Sequence, residues 1–125
     1  MNFFLVFIGG GLGSLARYGT GFITKKIFDM NFPYGTFISN LISCFILGAL
    51  VEWLALRASH QEPYRLLIAV GFCGGFSTFS SFTLETFEMV RTGNYVTAAF
   101  YILISIFICM LALTGGAFTS RLFLT

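Results

Sequence analysis

The sequence predicts an all-α membrane protein, with four transmembrane helices, a break in the third, and assembly as an antiparallel, dual-topology homodimer. Three observations carry that reading. Only 10% of the 125 residues are charged and 57% are hydrophobic, whereas a soluble domain averages about 25% charged residues. Four apolar stretches, near Phe3–Ile23, Tyr34–Leu56, Leu66–Val90 and Val96–Phe118, reach the roughly 20 helical residues that a hydrocarbon core of about 30 Å requires. The cations are spread almost evenly between the two ends of those spans. Arg57, Arg65 and Arg121 fall on one side and Lys25, Lys26 and Arg91 on the other, and Arg17, inside the first span, makes it four against three. Orientation follows an excess of Lys and Arg in cytoplasmic loops. With so small a bias, the chain is expected to insert both ways, and inverted copies to pair.

The connections are short, so residues 1–125 are read as a single four-helix transmembrane domain with antiparallel neighbours. The net charge of +2 is small and scattered, which excludes a nucleic-acid partner as the expectation; the natural surroundings are membrane lipid. Cys44, Cys73 and Cys109 all lie within spans. Their odd number and lack of C-x-x-C spacing favour free thiols over a disulfide framework or zinc site. The start, Met1-Asn2-Phe3-Phe4, lacks the basic region and small-residue cleavage site of a signal peptide.

In the first span, Gly9 and Gly13 make a small-x-x-x-small step that lets helices approach closely. Arg17 follows. A charge in the membrane is costly and faces protein or water, so it is either a structural cation on backbone carbonyls or a positive charge at an anion-attracting vestibule. In the second span, Thr36, Asn40 and Ser43 share one helical face, bordered by Ser39. The Asn40 amide serves either as inter-helical glue or as an N–H for a passing anion. Glu52 and Trp53 mark the interface. The loop that follows holds His60, the one histidine, which is assigned no role.

The third span carries Gly71-Phe72-Cys73-Gly74-Gly75-Phe76-Ser77-Thr78-Phe79-Ser80-Ser81-Phe82. Adjacent glycines weaken a helix by about 1 kcal/mol each relative to Ala, and hydroxyls compete for backbone groups. A break is therefore expected at Gly74–Ser77. In lipid a broken backbone survives only where protein covers it or where it lines a cavity, so the stretch is a tight packing site or part of a permeation path. Phe79, Phe82 and Glu85 continue one row at i, i+3 and i+6. The rings pack in a core or present their positive edges to an anion. The fourth span offers Tyr101, Ser105 and Cys109 on one face. No catalytic triad, metal cluster or phosphate loop is visible, so an enzyme is not expected.

The Gly71–Phe82 stretch resembles the G-F-C-G-G-x-T-T-F-S-T-F signature of the Fluc (CrcB) fluoride channels, with Ser77 and Ser81 where that family often has threonine. Gly9-Gly10-Gly11-Leu12-Gly13 with Arg17, and Gly35-Thr36 with Asn40, are similar to its first two spans. The resemblance covers essentially the whole chain. It implies an antiparallel homodimer in the bacterial cell (inner) membrane, with two pores that export fluoride passively to relieve its toxicity. It also implies a structural sodium ion (Na+) at the dimer interface, held by the backbone carbonyls of Gly74 and Ser77 and their symmetry mates. Phe79 and Phe82 would line the pores and Asn40 would donate a hydrogen bond. Thr36, Ser80, Glu85, Tyr101 and Ser105 would form the polar track, and Arg17 would stand towards the vestibule. Cys109 falls where a hydroxyl would be expected.

Two other classes compete. A small dual-topology multidrug or cation exporter needs a carboxylate in its first span, and this span has none. A structural membrane subunit would use the glycines and hydroxyls for assembly alone. The near-even charge makes one direct prediction. A reporter fused to the C-terminus gives signal on both sides of the membrane, and signal confined to one side removes the dual-topology reading.

Overall fold

The computed structural model describes residues 1–29, 31–57 and 61–125; His60 lies outside them. The elements run α1 (Asn2–Ile27), α2 (Tyr34–Ala55), a one-turn α3 (Glu62–Tyr64), a π-helix (Arg65–Cys73), α4 (Gly74–Phe76), α5 (Phe79–Arg91) and α6 (Tyr95–Leu124). The fold is all-helical. Among the described residues three helical stretches, Tyr34–Ala55, Glu62–Arg91 and Tyr95–Leu124, are long and apolar enough to cross a membrane, so this is a multi-pass membrane protein. At 26 residues, α1 is about 39 Å long. Its five glycines up to Gly19, with Arg17, Lys25 and Lys26, make it less apolar than the other three.

The third segment is interrupted, but not where the adjacent glycines pointed. Gly74, Gly75 and Phe76 are helical, and the chain first becomes extended at Ser77 (φ −77°, ψ 157°) and Thr78 (φ −152°, ψ 116°). The expected Gly74–Ser77 break is therefore moved to Ser77–Thr78. The reason is packing. A methyl group at Gly75 would overlap the Gly10 carbonyl oxygen of α1, so this glycine serves close approach rather than unwinding. Thr78 then caps α5, its Oγ1 accepting from the Ser81 N–H at 3.1 Å, which is how a threonine starts a new helix.

Two seams of glycine hold the helices together, and both join parallel partners. Along the first, α1 lies on the π-helix and α4. Methyl groups at Gly9 and Gly13 would overlap the carbonyl oxygens of Leu67 and Phe72. Along the second, α2 lies on α6, where Gly48 meets Leu113 and Gly116 meets Phe45 and Ala49. The ends of this second pair are in step. Phe32 stacks edge-on against Tyr101 at 5.2 Å near one end, and Arg121 bonds Glu52 at 2.8 Å near the other. Small residues let membrane backbones touch, where dispersion and weak Cα–H···O contacts replace the hydrophobic effect. The turn into α6 uses Gly93 at φ 85°, a left-handed conformation that favours glycine.

The seam sets a contrast in stability. Gly48→Ala puts a methyl against backbone and costs about 1–3 kcal/mol. Gly11, around which nothing lies within 4 Å, accepts alanine with no loss. Denaturant titration of the folded protein in detergent checks both; equal stability of the two variants overturns the seam.

Candidate functional site

The site is built around the gap between α4 and α5. In an uninterrupted α-helix the Thr78 N–H would bond the Gly74 carbonyl, and the Ser81 N–H would bond Ser77. Both donors are diverted. The Thr78 N–H goes to Asn40 Oδ1 at 2.7 Å, and the Ser81 N–H to Thr78 Oγ1 at 3.1 Å. Asn40 closes a two-point clamp, its Nδ2 donating back to the Thr78 carbonyl at 3.3 Å. One amide hydrogen of Asn40 is left over from the clamp. The sequence alone left glue and donor as alternatives for this residue, and the geometry allows both at once.

The carbonyls at the end of the broken helix have different fates. That of Cys73 accepts from Ser77 N (2.9 Å), Ser77 Oγ (2.7 Å) and Ser43 Oγ (3.0 Å). That of Gly75 accepts from Arg17 Nε at 3.0 Å. Those of Gly74 and Ser77 have lost their helical donors, and no replacement donor reaches them among the described residues. Gly74 is exposed, with open space beside it. Two free backbone oxygens are hard ligands of the kind alkali and alkaline-earth cations take, so this donor set fits a cation such as sodium. No cluster of three His, Cys, Asp or Glu exists among the described residues that could hold a metal through side chains.

A second group lies one layer away. The Glu85 carboxylate accepts from Thr36 Oγ1 at 2.5 Å and from Tyr101 OH at 2.8 Å. Three elements, α2, α5 and α6, therefore converge on one acid. The Tyr101 ring also packs on Phe82, centroids 5.0 Å apart, and Phe82 on Phe79 at 5.8 Å. Phe79 is 80% exposed, so its ring stands clear of this chain's own core. Ser80 is exposed, its Oγ 3.2 Å from Thr78 Oγ1. Ser105 is buried, as is Ser39, and neither hydroxyl has a partner among the described residues.

Arg17, Thr36, Ser81 and Glu85 line one open cleft of about 990 Å³ between α1, α2 and α5. Thus the structure brings Thr36, Glu85, Tyr101, Phe82 and Phe79 into a continuous row. It places Asn40 and Ser80 at the gap, and Arg17 on the cleft with its guanidinium turned to Gly75. Ser105 stays apart, one helical turn beyond Tyr101. Sequence reasoning missed Thr78, which partners Asn40 and caps α5. Its signal was a hydroxyl residue just ahead of a new helical run.

A family model described as "CrcB-like protein, Camphor Resistance (CrcB)" matches residues 4–117. The chain belongs to the CrcB family. Among its relatives is the fluoride-specific ion channel FluC of Caulobacter sp. (strain K31), 44% identical over 94% of this chain and 92% of that protein. FluC of Azobacteroides pseudotrichonymphae is 43% identical over 93% of this chain and 94% of its own. FluC 2 of Nitrobacter hamburgensis is 37% identical over 93% and 94%. The matched region of the CrcB family takes in both glycine seams and every residue of the gap.

The clamp carries a stability prediction. Asn40→Ala leaves the Thr78 N–H without its acceptor, which costs about 1–3 kcal/mol. Detergent unfolding of the variant measures it, and a wild-type midpoint rules the clamp out as a structural support.

Proposed function

We propose that this chain is a fluoride channel, an ion pathway and not an enzyme, that lets fluoride leave the cell down its gradient. The observation that carries the reading is the diverted pair of N–H groups. A helix is opened at Ser77–Thr78 without leaving its donors idle, and neutral donors are gathered beside the gap. Relatives bearing the fluoride-channel name match over more than nine tenths of the chain.

Fluoride is small and strongly hydrated, so its path must supply donors set in advance. They must also bind weakly enough for the ion to leave. The spare amide hydrogen of Asn40, the hydroxyls of Ser80 and Ser105, and the ring edges of Phe79 and Phe82 are of that kind; Thr36 and Tyr101 each give their single O–H to Glu85 and would serve the anion only by turning from it. Glu85 holds the Thr36 and Tyr101 hydroxyls in place. The start of α5 adds the partial positive charge of a helix N-terminus. Arg17 stands at the vestibule, its charge shared with the Gly75 carbonyl.

The finer assembly belongs to the same reading. Residues 1–125 form one domain of four spans, α1 being the fourth, in the inner membrane of a bacterium. Two copies pair in inverted orientation, with two pores. The exposed Gly74 and the exposed Phe79 ring support a second copy at this face. The free carbonyls of Gly74 and Ser77 in both copies would hold a structural Na+, whose charge would satisfy oxygens that the break leaves unbonded. The exporter alternative lacks its carboxylate, since α1 carries no acid.

Fluoride efflux from proteoliposomes, read with a fluoride electrode, tests the proposal. Wild-type protein empties loaded vesicles of fluoride and not of chloride, with no proton gradient. Asn40→Asp slows efflux by about tenfold or more, a loss of at least ~1.4 kcal/mol at the barrier, because an acceptor then faces the Thr78 carbonyl and the anion. Phe79→Ala and Phe82→Ala slow it as well. Normal flux in the folded ring variants removes ring edges from the pathway, and no fluoride flux from wild-type protein overturns the channel.

A further inference from the structure

The α2–α6 seam brings two side chains together that the fluoride pathway does not use. Cys44 precedes Gly48 by four residues on α2, and Cys109 precedes Leu113 by four on α6. Residues four apart lie on one face of a helix. Gly48 touches the backbone of Leu113. Because the helices run parallel, the next turn back sets Cys44 opposite Cys109, and the two thiols are side-chain neighbours. Both cysteines are free and partly exposed.

We propose that Cys44 and Cys109 form a two-thiolate site for a soft, divalent, linearly coordinating metal ion of the mercuric class. Thiolate is the ligand that soft ions select. A tetrahedral ion such as zinc needs four ligands, and no third His, Asp, Glu or Cys completes a cluster here among the described residues. The charge balance also selects the ion. With mercuric chloride, two Hg–Cl bonds break and two Hg–S bonds form. Two chlorides and two protons leave, and no electron is transferred. The product is neutral, as a site within an apolar span requires. A monovalent ion on the same two thiolates would leave one uncompensated negative charge. The ion would staple α2 to α6 one turn from their closest contact.

Cys73 is the competing thiol. It is buried on the π-helix, and its carbonyl accepts from Ser43, the residue next to Cys44. The test therefore includes it. Purified protein in detergent, with reductant removed, is loaded with mercuric chloride and washed in excess 2-mercaptoethanol. Wild-type protein and Cys73→Ser retain one mercury per chain. Cys44→Ser and Cys109→Ser each hold it roughly 10²–10⁴-fold more weakly, since a lone thiol loses the effective concentration of its neighbour. X-ray absorption on wild-type protein loaded with one mercury per chain, before the mercaptoethanol wash, shows two sulfur ligands, a readout that needs no variant to fold. Loss of mercury from wild-type protein, retention that depends on Cys73, retention unchanged in both Cys44→Ser and Cys109→Ser, or a sulfur count other than two overturns the site.

Discussion

The clamp between Asn40 and Thr78 is the interaction on which the other features of the gap depend. A backbone opened in a membrane leaves polar groups that lipid cannot satisfy, and here one side-chain amide answers a donor and an acceptor together. Thr78 is thereby fixed in an extended conformation with its hydroxyl free to cap α5. That cap takes the Ser81 N–H, and so Ser77 keeps an unbonded oxygen. Two unbonded oxygens and a new helix start both follow from where one amide is held.

The scaffold around the clamp is made of close backbone contacts. Gly9, Gly13 and Gly75 seat α1 against the third segment, and Gly48 and Gly116 seat α2 against α6. Any of these positions with a side chain would push its helix outward. Asn40 and Thr36 sit on α2, Tyr101 on α6 and Glu85 on α5, so a shift of α2 relative to α6 would separate the hydroxyls from their shared carboxylate. Packing on this seam and polar geometry in the row are one problem.

Much of the fold was legible in the sequence. Hydropathy and length located the second and third helices to within a few residues, while the fourth runs on past Phe118 to Leu124; the Gly-Gly and Ser-rich stretch announced the interruption. Its position was misjudged by a few residues because a glycine pair has two physical uses, unwinding and close approach. Only the neighbour, Gly10 of α1, decides between them. Gly48 passed unnoticed because a single glycine in an apolar run has no periodicity to mark it. The row from Thr36 through Glu85 to Tyr101 could be guessed as polar faces on separate helices. Their meeting at one carboxylate depends on how the helices rotate against each other, which period-3.6 patterns do not encode. Thr78 was missed for the same reason, since its partner lies 38 residues earlier on another helix.

The bond from Arg17 to Gly75 spans 58 residues of chain. A guanidinium in hydrocarbon is unfavourable until a partner accepts its charge, and this partner is an oxygen near the end of a helical segment that the ribosome makes much later. The first helix is also the one with the weakest apolar signal of its own. Arg17 therefore gains this acceptor only after the third segment has been made, so the contact closes from the middle of the chain back toward its beginning.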